Sequence, residues 1–588
     1  GASPSSSSSS SASTPRGKRC EGGGKQKAKN KAREGAFECA LETCLNDVCQ
    51  LERSLFTASH LFSRAFQEIN IQHNMMYKKN IESTAKFIHE LTQDEVTIPN
   101  SPFEKKEGQF VFNKSLLSFL LYPRDDSESL RCLFLNPTWY DSLEVNMKSG
   151  SYVVSQTSLE LPNRFIEGDS YTCSVQFDRL IDPQWDEKTQ YFYRYFLPIK
   201  NERWLSFIEH IPCYQDDDIP STYDSYRCVG GIRVDLSKER QIHLFSVYMG
   251  ASLFLAIESQ FPCTYGEMSD YMHTISLSLG LVTSVAPFDY AYIVASETPD
   301  FEGKIMSGMI RLRPTIKNKY CFFFMTDLDA LFDRLSGKAD YTLHQLCDKN
   351  GKAKSRLDPM TEEEFSALAR MLYENKELAR AALMLIDSSM NLECLGAISA
   401  VALETICSVL IEANKELLPK HRNKKGKERR SNEEKLTEPF MLPQIGYELS
   451  EEKGKELVNI RNSFLHGGVL GFSHTEYHKL QYPCMKLRCL CGLLLFRYAG
   501  YKGPILNNAV ALGLEEAIEK NELLFITYDE EAAKELVEKR KKEKQKEEEK
   551  KKKQSQGKNN KQSQGKNNKQ SQGKEKSPQP TENPEAGV

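Results

Sequence analysis

The sequence predicts an α+β protein of several domains, with a strand-rich, mostly antiparallel N-terminal and middle part, an all-α helical bundle after it, and disordered termini. Three observations predict this. A chain of 588 residues is longer than one hydrophobic core usually organises. Between residues 109 and 325, short aromatic and β-branched runs alternate with Gly, Pro, Asn and Asp, the texture of antiparallel strands. From residue 358 onward, apolar residues recur at helical spacing behind N-cap signals.

Residues 1–35 form a Ser-rich, basic arm expected to be disordered. Ser5 to Ser11 leads into Arg16, Lys18 and Arg19 with no apolar core behind them, which argues against a secretory signal. Such a start suits a plain arm or an organelle transit peptide, and the cluster from Lys25 to Arg33 suits a nuclear address. Residues 36–95 read as a helical segment, with Leu51, Leu55, Leu61, Phe62 and Phe66 as its apolar stripe.

Residues 96–345 read as the strand-rich domain, a sensor or ligand-binding module. Strands are expected at Phe110–Phe112, Tyr152–Val154, Tyr171–Phe177, Tyr191–Phe196, Ile242–Tyr248 and Tyr290–Val294, with a helix over Met268–Leu281. Gly230-Gly231 reads as a turn. The acidic run Asp216 to Asp218 reads as a solvated loop, because three successive carboxylates cannot converge on one ion.

The helical domain is placed at 358–500. Thr361 and Glu364 form a capping box. Asn391 caps a long helix through Ile411, whose Gly396, Ala397, Ala400 and Ala402 permit close packing. A basic insertion, 414–440, carries Arg422, Lys424, Lys425, Lys427, Arg429 and Arg430, candidates for gripping phosphates if the segment is more than a solvated linker. Ser450 caps the next helix, and an amphipathic helix through Leu480, Leu487, Leu490, Leu494 and Phe496 ends at Gly500. Residues 501–534 read as a C-terminal extension. Residues 535–588 read as a disordered Lys-rich tail with a repeated Lys-Gln-Ser-Gln-Gly-Lys-Asn-Asn unit.

A formal charge of −3 excludes a globally basic nucleic-acid binder, so any RNA contact is local. Sixteen cysteines without one Cys-x-x-Cys pair read as buried free thiols of a reducing compartment, the cytoplasm first and the nucleus or an organelle as alternatives. No apolar run reaches the length of a membrane span, and no membrane contact is expected. No metal or cofactor is expected, since no ligand spacing accompanies the residues below.

Those residues lie in Leu457-Val-Asn-Ile-Arg-Asn-Ser-Phe-Leu-His-Gly-Gly468. Arg461 is a permanent cation that can grip a phosphate in two prongs. His466 carries an imidazole, a group that can take or give a proton in general acid–base catalysis. Asn462 lies four residues before His466, on the same helix face. The spacing alone is loose, and Arg53 with His60 and Arg203 with His210 also fit it. Only the 461 match combines an asparagine after the arginine, a glycine stop and helical flanks. Glu404, an acid within an apolar helix, needs a partner or a route to solvent, and Arg461 is the candidate partner.

On this motif, the segment from Asp358 to Gly500 resembles a HEPN domain, the helical family of metal-independent endoribonucleases and nucleotide-binding relatives. The order of the chain, strand-rich then helical, resembles the ApeA-like HEPN proteins. The resemblance implies an endoribonuclease, a defence or toxin-like effector, acting on RNA through attack by the ribose 2′-hydroxyl. His466 would move the proton, Arg461 would stabilise developing charge and Asn462 would orient. It also implies a homodimer through the helical domain, with a small-molecule or protein trigger at the strand-rich domain. The alternative is a non-catalytic HEPN-like dimerisation scaffold with a ligand-binding middle domain. Arg461 is then a salt bridge to Glu404, and His466 a helix C-terminal cap.

Overall fold

The computed structural model describes residues 76–91, short strands between 95 and 176, and most of 178–215, 226–317, 351–387, 391–419, 430–466 and 478–538. The Ser-rich arm, the part of the expected helical segment before residue 76, the run Asp216 to Asp218 and the repeat tail lie outside the described residues.

The centre is a nine-stranded antiparallel sheet built from β1 (Ser142–Met147), β2 (Gly150–Ser155), β3 (Arg179–Ile181), β4 (Phe192–Ile199), β5 (Tyr226–Ser237), β6 (Arg240–Met249), β7 (Ser252–Ser259), β8 (Tyr290–Ser296) and β9 (Ile305–Arg311). Their spatial order is 5-6-7-4-8-9-3-2-1. Side chains alternate between two cores. On β4, Tyr193, Tyr195 and Leu197 face one core and Phe196 the other. On β7, Leu255 and Ile257 face the first, and Phe254 and Ala256 the second. A smaller five-stranded antiparallel sheet runs through 95–96, 108–113, 116–121, 173–176 and 158–160.

One face of the large sheet is covered by helix α1 (Ile81–Leu91), which buries Ile81, Ala85, Phe87 and Ile88. Charge pins this helix down. Lys78, just before it, pairs with buried Glu258 of β7, and Arg194 of β4 donates through Nε to the same carboxylate at 2.7 Å. Arg194 also donates to Thr84 Oγ1 at 2.7 Å and to the carbonyl of Lys79 at 3.1 Å. Its guanidinium lies 4.1 Å from the Phe301 ring centroid. Lys78 Nζ donates to His243 Nδ1 at 2.6 Å, and an ammonium only donates, so the His243 proton is on Nε2, facing Gln241 Oε1 at 2.8 Å.

Helix α2 (Tyr265–Thr283) crosses the other face behind a Thr264–Glu267 capping box. Against it pack α3 (Glu362–Glu374) and α4 (Lys376–Ile386), followed by α5 (Leu392–Ala413), the short α6 (Asn432–Thr437), α7 (Glu451–Leu465) and α8 (Gln481–Tyr498). Sheet, α2 and these helices share one hydrophobic core, so the strand-rich and helical parts are packed together rather than strung on a linker. The caps expected at Thr361, Asn391 and Ser450 are all present.

Helix α3 also closes the open edge of the sheet. Glu362 Oε2 accepts the Arg233 amide of β5 at 3.0 Å. Ser366 Oγ accepts the Asp235 amide at 3.1 Å and donates to the Arg233 carbonyl at 3.3 Å. Arg370 donates to the Asp235 carbonyl at 2.8 Å through Nη2. Residues spaced four apart on one helix face thus occupy backbone groups that a tenth strand would take.

Several expectations need correcting. Gly230-Gly231 is not a turn but an irregularity inside β5, where the register shifts between Val229 and Gly231. Gly230 has φ +50°, and a Cβ there would stand 2.9 Å from Leu205 Cδ1. Strands β1, β3, β5, β7 and β9 lie outside the expected strand runs. The second half of the 414–440 insertion is folded, with a Ser431–Glu434 capping box and buried Leu436 and Phe440. Helix α8 is not amphipathic, being buried from Cys484 through Arg497, including Lys486, Arg488 and Arg497. Residues 501–526 complete the helical core, since Arg497 donates to the carbonyls of Tyr501, Gly503 and Ile526 at 2.7, 2.8 and 3.1 Å. The 22-residue α5 has the length and apolarity of a membrane span; here it is the central helix, packed by α4, α7 and α8. The eight cysteines whose side chains are described are free thiols, all buried except Cys394.

Candidate active site on the seventh helix

Helix α7 starts where Ser450 Oγ accepts the Lys453 amide at 3.3 Å. Its buried residues are Gly454, Leu457, Arg461 and Phe464, one stripe at spacings of three and four. Arg461 therefore occupies a core-facing position. The approach to α5 is close. A Cβ on Gly396 would stand 2.1 Å from Phe464 Cε1, so the ring fills the space that glycine leaves open. The run of small residues signals close packing in the sequence; the knob that uses it, Phe464, carries no comparable signal.

That approach sets Arg461 against Glu404 of α5. The Arg461 Nη2 donates to Glu404 Oε1. The arginine side chain is 11% exposed and the glutamate side chain 39%. Through Nη1 the same guanidinium donates to Asn462 Oδ1 at 2.7 Å and meets His466 Nε2 at 3.2 Å. A guanidinium has no acceptor, so the second contact is a hydrogen bond when Nε2 carries the lone pair and Nδ1 the proton. His466 is exposed at the C-cap, its amide donating to the Asn462 carbonyl at 2.9 Å. The Arg461 Nε is buried and has no hydrogen-bond partner.

All four predicted residues of this site thus meet in one chain of contacts, Glu404 to Arg461 to Asn462 and His466. The two readings of the motif divide the result between them. A shared cluster of arginine and histidine is what proton transfer with charge stabilisation needs. A nearly buried arginine paired with Glu404 is what a structural salt bridge needs.

The basic insertion is a different matter. Arg422, Lys424, Lys425, Lys427 and Arg429 lie outside the described residues. Arg430, expected among the phosphate-gripping residues, is instead committed to the fold. Its Nε donates to Glu438 Oε2 at 2.7 Å, with side chains 9% and 3% exposed, and its Nη2 donates to the Pro419 carbonyl at 3.0 Å. Of the other two arginine–histidine spacings, Arg53 and His60 lie outside the described residues, and Arg203 starts a 3-10 turn, with His210 Nδ1 3.3 Å from the Ile208 carbonyl oxygen. Among known proteins, no family model, curated sequence or solved structure matches the chain.

Proposed function

We propose that the chain is a metal-independent endoribonuclease of the HEPN type, with His466, Arg461 and Asn462 as its catalytic residues. The observation that carries this is the Arg461 guanidinium, which holds Asn462 Oδ1 and His466 Nε2 together at an exposed helix end. An arriving phosphodiester competes for the Nη1 protons of Arg461, since charge-assisted bonds to phosphate are stronger than one to a neutral imidazole. The exchange releases the His466 Nε2 lone pair beside the bound phosphate. His466 then takes the proton of the ribose 2′-hydroxyl, the 2′-oxygen attacks phosphorus, and the 5′-oxygen leaves and acquires a proton. Arg461 neutralises charge on the phosphorane, and Asn462 orients the guanidinium. Glu404 fixes the arginine from behind. The products are a 2′,3′-cyclic phosphate and a 5′-hydroxyl. End-group analysis of cleaved RNA tests this chemistry, because a 3′-hydroxyl with a 5′-phosphate requires water as the nucleophile and rejects the scheme.

A homodimer through the helical domain belongs to the same proposal, with Val401 and Cys394 on the exposed side of α5 as contacts. The second reading, a dimerisation scaffold without catalysis, rests on the Arg461–Glu404 pair alone. It predicts that the protein leaves RNA intact while Arg461 variants lose stability.

A further inference from the structure

A groove of about 450 Å³ opens on the sheet side of α2, away from the Arg461 cluster in sequence. We propose that it binds a nucleoside phosphate. Its wall carries Arg179 of β3, Arg311 at the end of β9 and Arg313 just beyond, with Asp178 the one lining carboxylate among the described residues. Its floor is apolar, from Met272, Phe288, Ile310 and Leu312. The volume lies in the range of roughly 300–1,000 Å³ usual for small-molecule sites. The division into guanidinium wall and apolar floor matches a ligand with an anionic end and a flat ring.

Two of the three arginines are held in place before any ligand arrives. Arg179 pairs with Glu187 and lies over the Tyr265 ring at 5.9 Å, and Arg311 pairs with Asp178 at 3.6 Å. Each of these two arginine side chains remains about a quarter exposed, 27% and 25%. Arg313 is exposed and has no carboxylate partner among the described residues, so its charge is open to an anion. His273 stacks on Phe288, ring centroids 5.7 Å apart and planes 25° apart, which flattens the floor beside Arg313. Guanidinium groups on a rigid frame recognise phosphate through paired hydrogen bonds, and little ordering entropy is lost on binding.

The site also touches the element that joins the two parts of the fold. Tyr265, Ser269, Met272 and His273 all belong to α2. Along the same helix, Tyr271 packs on Tyr373 of α3 at 5.1 Å, and Gly280 lies against Ile386 of α4. A ligand in the groove therefore presses on the helix that supports the helical layer.

The test is calorimetric titration of the full chain with ATP, GTP, AMP and inorganic pyrophosphate, repeated on Arg313→Glu and on Lys376→Glu as a charge reversal outside the groove lining. Nucleotide binding is expected in the wild type, at least tenfold weaker in Arg313→Glu and unchanged in Lys376→Glu, with unfolding midpoints equal in all three. Absence of nucleotide binding at millimolar concentrations overturns the assignment. So does equal weakening by Lys376→Glu, which marks a diffuse charge effect. Pyrophosphate binding as tight as ATP shows that the floor reads no ring, and binding of single-stranded RNA in place of the mononucleotides assigns the groove to a polymer; each rejects the nucleoside phosphate.

Discussion

Exchanging the two partners of the Arg461–Glu404 pair separately should give unequal costs, and the order is set by their exposure. In Glu404→Gln the arginine stays, 11% exposed, without a counter-charge and with Nε already unpartnered. The glutamine oxygen can still accept from Nη2, so the loss is Coulombic. Breaking a fully buried pair costs about 3–5 kcal/mol. Glu404 is 39% exposed, so water screens the pair and the expected cost falls to about 1–2 kcal/mol. In Arg461→Met the situation reverses. Methionine continues the apolar stripe of Leu457 and Phe464, and the abandoned carboxylate turns to water. That variant should lie within about 1 kcal/mol of wild type. Urea unfolding at neutral pH measures both. Arg461→Met less stable than Glu404→Gln would refute the reasoning, because it would mean that the carboxylate, not the guanidinium, is the group that cannot rehydrate.

Other expectations follow from particular contacts. Gly396→Ala drives a methyl into the Phe464 ring and should cost about 1–3 kcal/mol and displace α7; the double variant Gly396→Ala/Phe464→Leu should recover stability and cleavage together, and failure to recover either speaks against the knob. Burial and the Lys78 ammonium lower His243 to about 3, so below pH 6.5 the unfolded chain takes up a proton that the native chain refuses. Stability should therefore fall between pH 6.5 and 3 by up to about 1.4 kcal/mol per pH unit from this group; His243→Gln should flatten that slope, and an unchanged slope rejects the assignment. Ser366→Ala combined with Glu362→Ala should raise hydrogen exchange at the Arg233 and Asp235 amides while Leu244 and Ile257 stay protected, whereas uniform loss of protection would mean that the edge contact is not local.

What the sequence made legible follows from which signals are local. Helix starts were legible because a cap is a short-range device; Thr361, Asn391 and Ser450 each bond an amide within three residues. Strands β4, β6 and β8 were legible from β-branched and aromatic runs. Strand β7 was not, because Leu253 to Ile257 is apolar on both faces and offers no alternation. Strand β5 was hidden by Gly230-Gly231, which looks like a turn until Leu205 and Met76 are seen pressing on it. Helix α8 misled in the opposite way. An amphipathic helix needs a wet face, but here Lys486 meets Glu522, Arg488 donates to the Leu385 carbonyl and Arg497 to the Ile526 carbonyl. At the candidate site, helix periodicity foretold that Asn462 and His466 share a face. The depth of Arg461 was not foretold, since it depends on Gly396 admitting Phe464.

The most direct measurement is RNA cleavage by the full chain in excess chelator, wild type against His466→Ala. His466 is exposed at a helix end and its truncation removes little packing, so the variant should fold and unfold like wild type. Wild type should cleave without added metal, and His466→Ala should not. Cleavage by His466→Ala at the wild-type rate would contradict the catalytic role of His466.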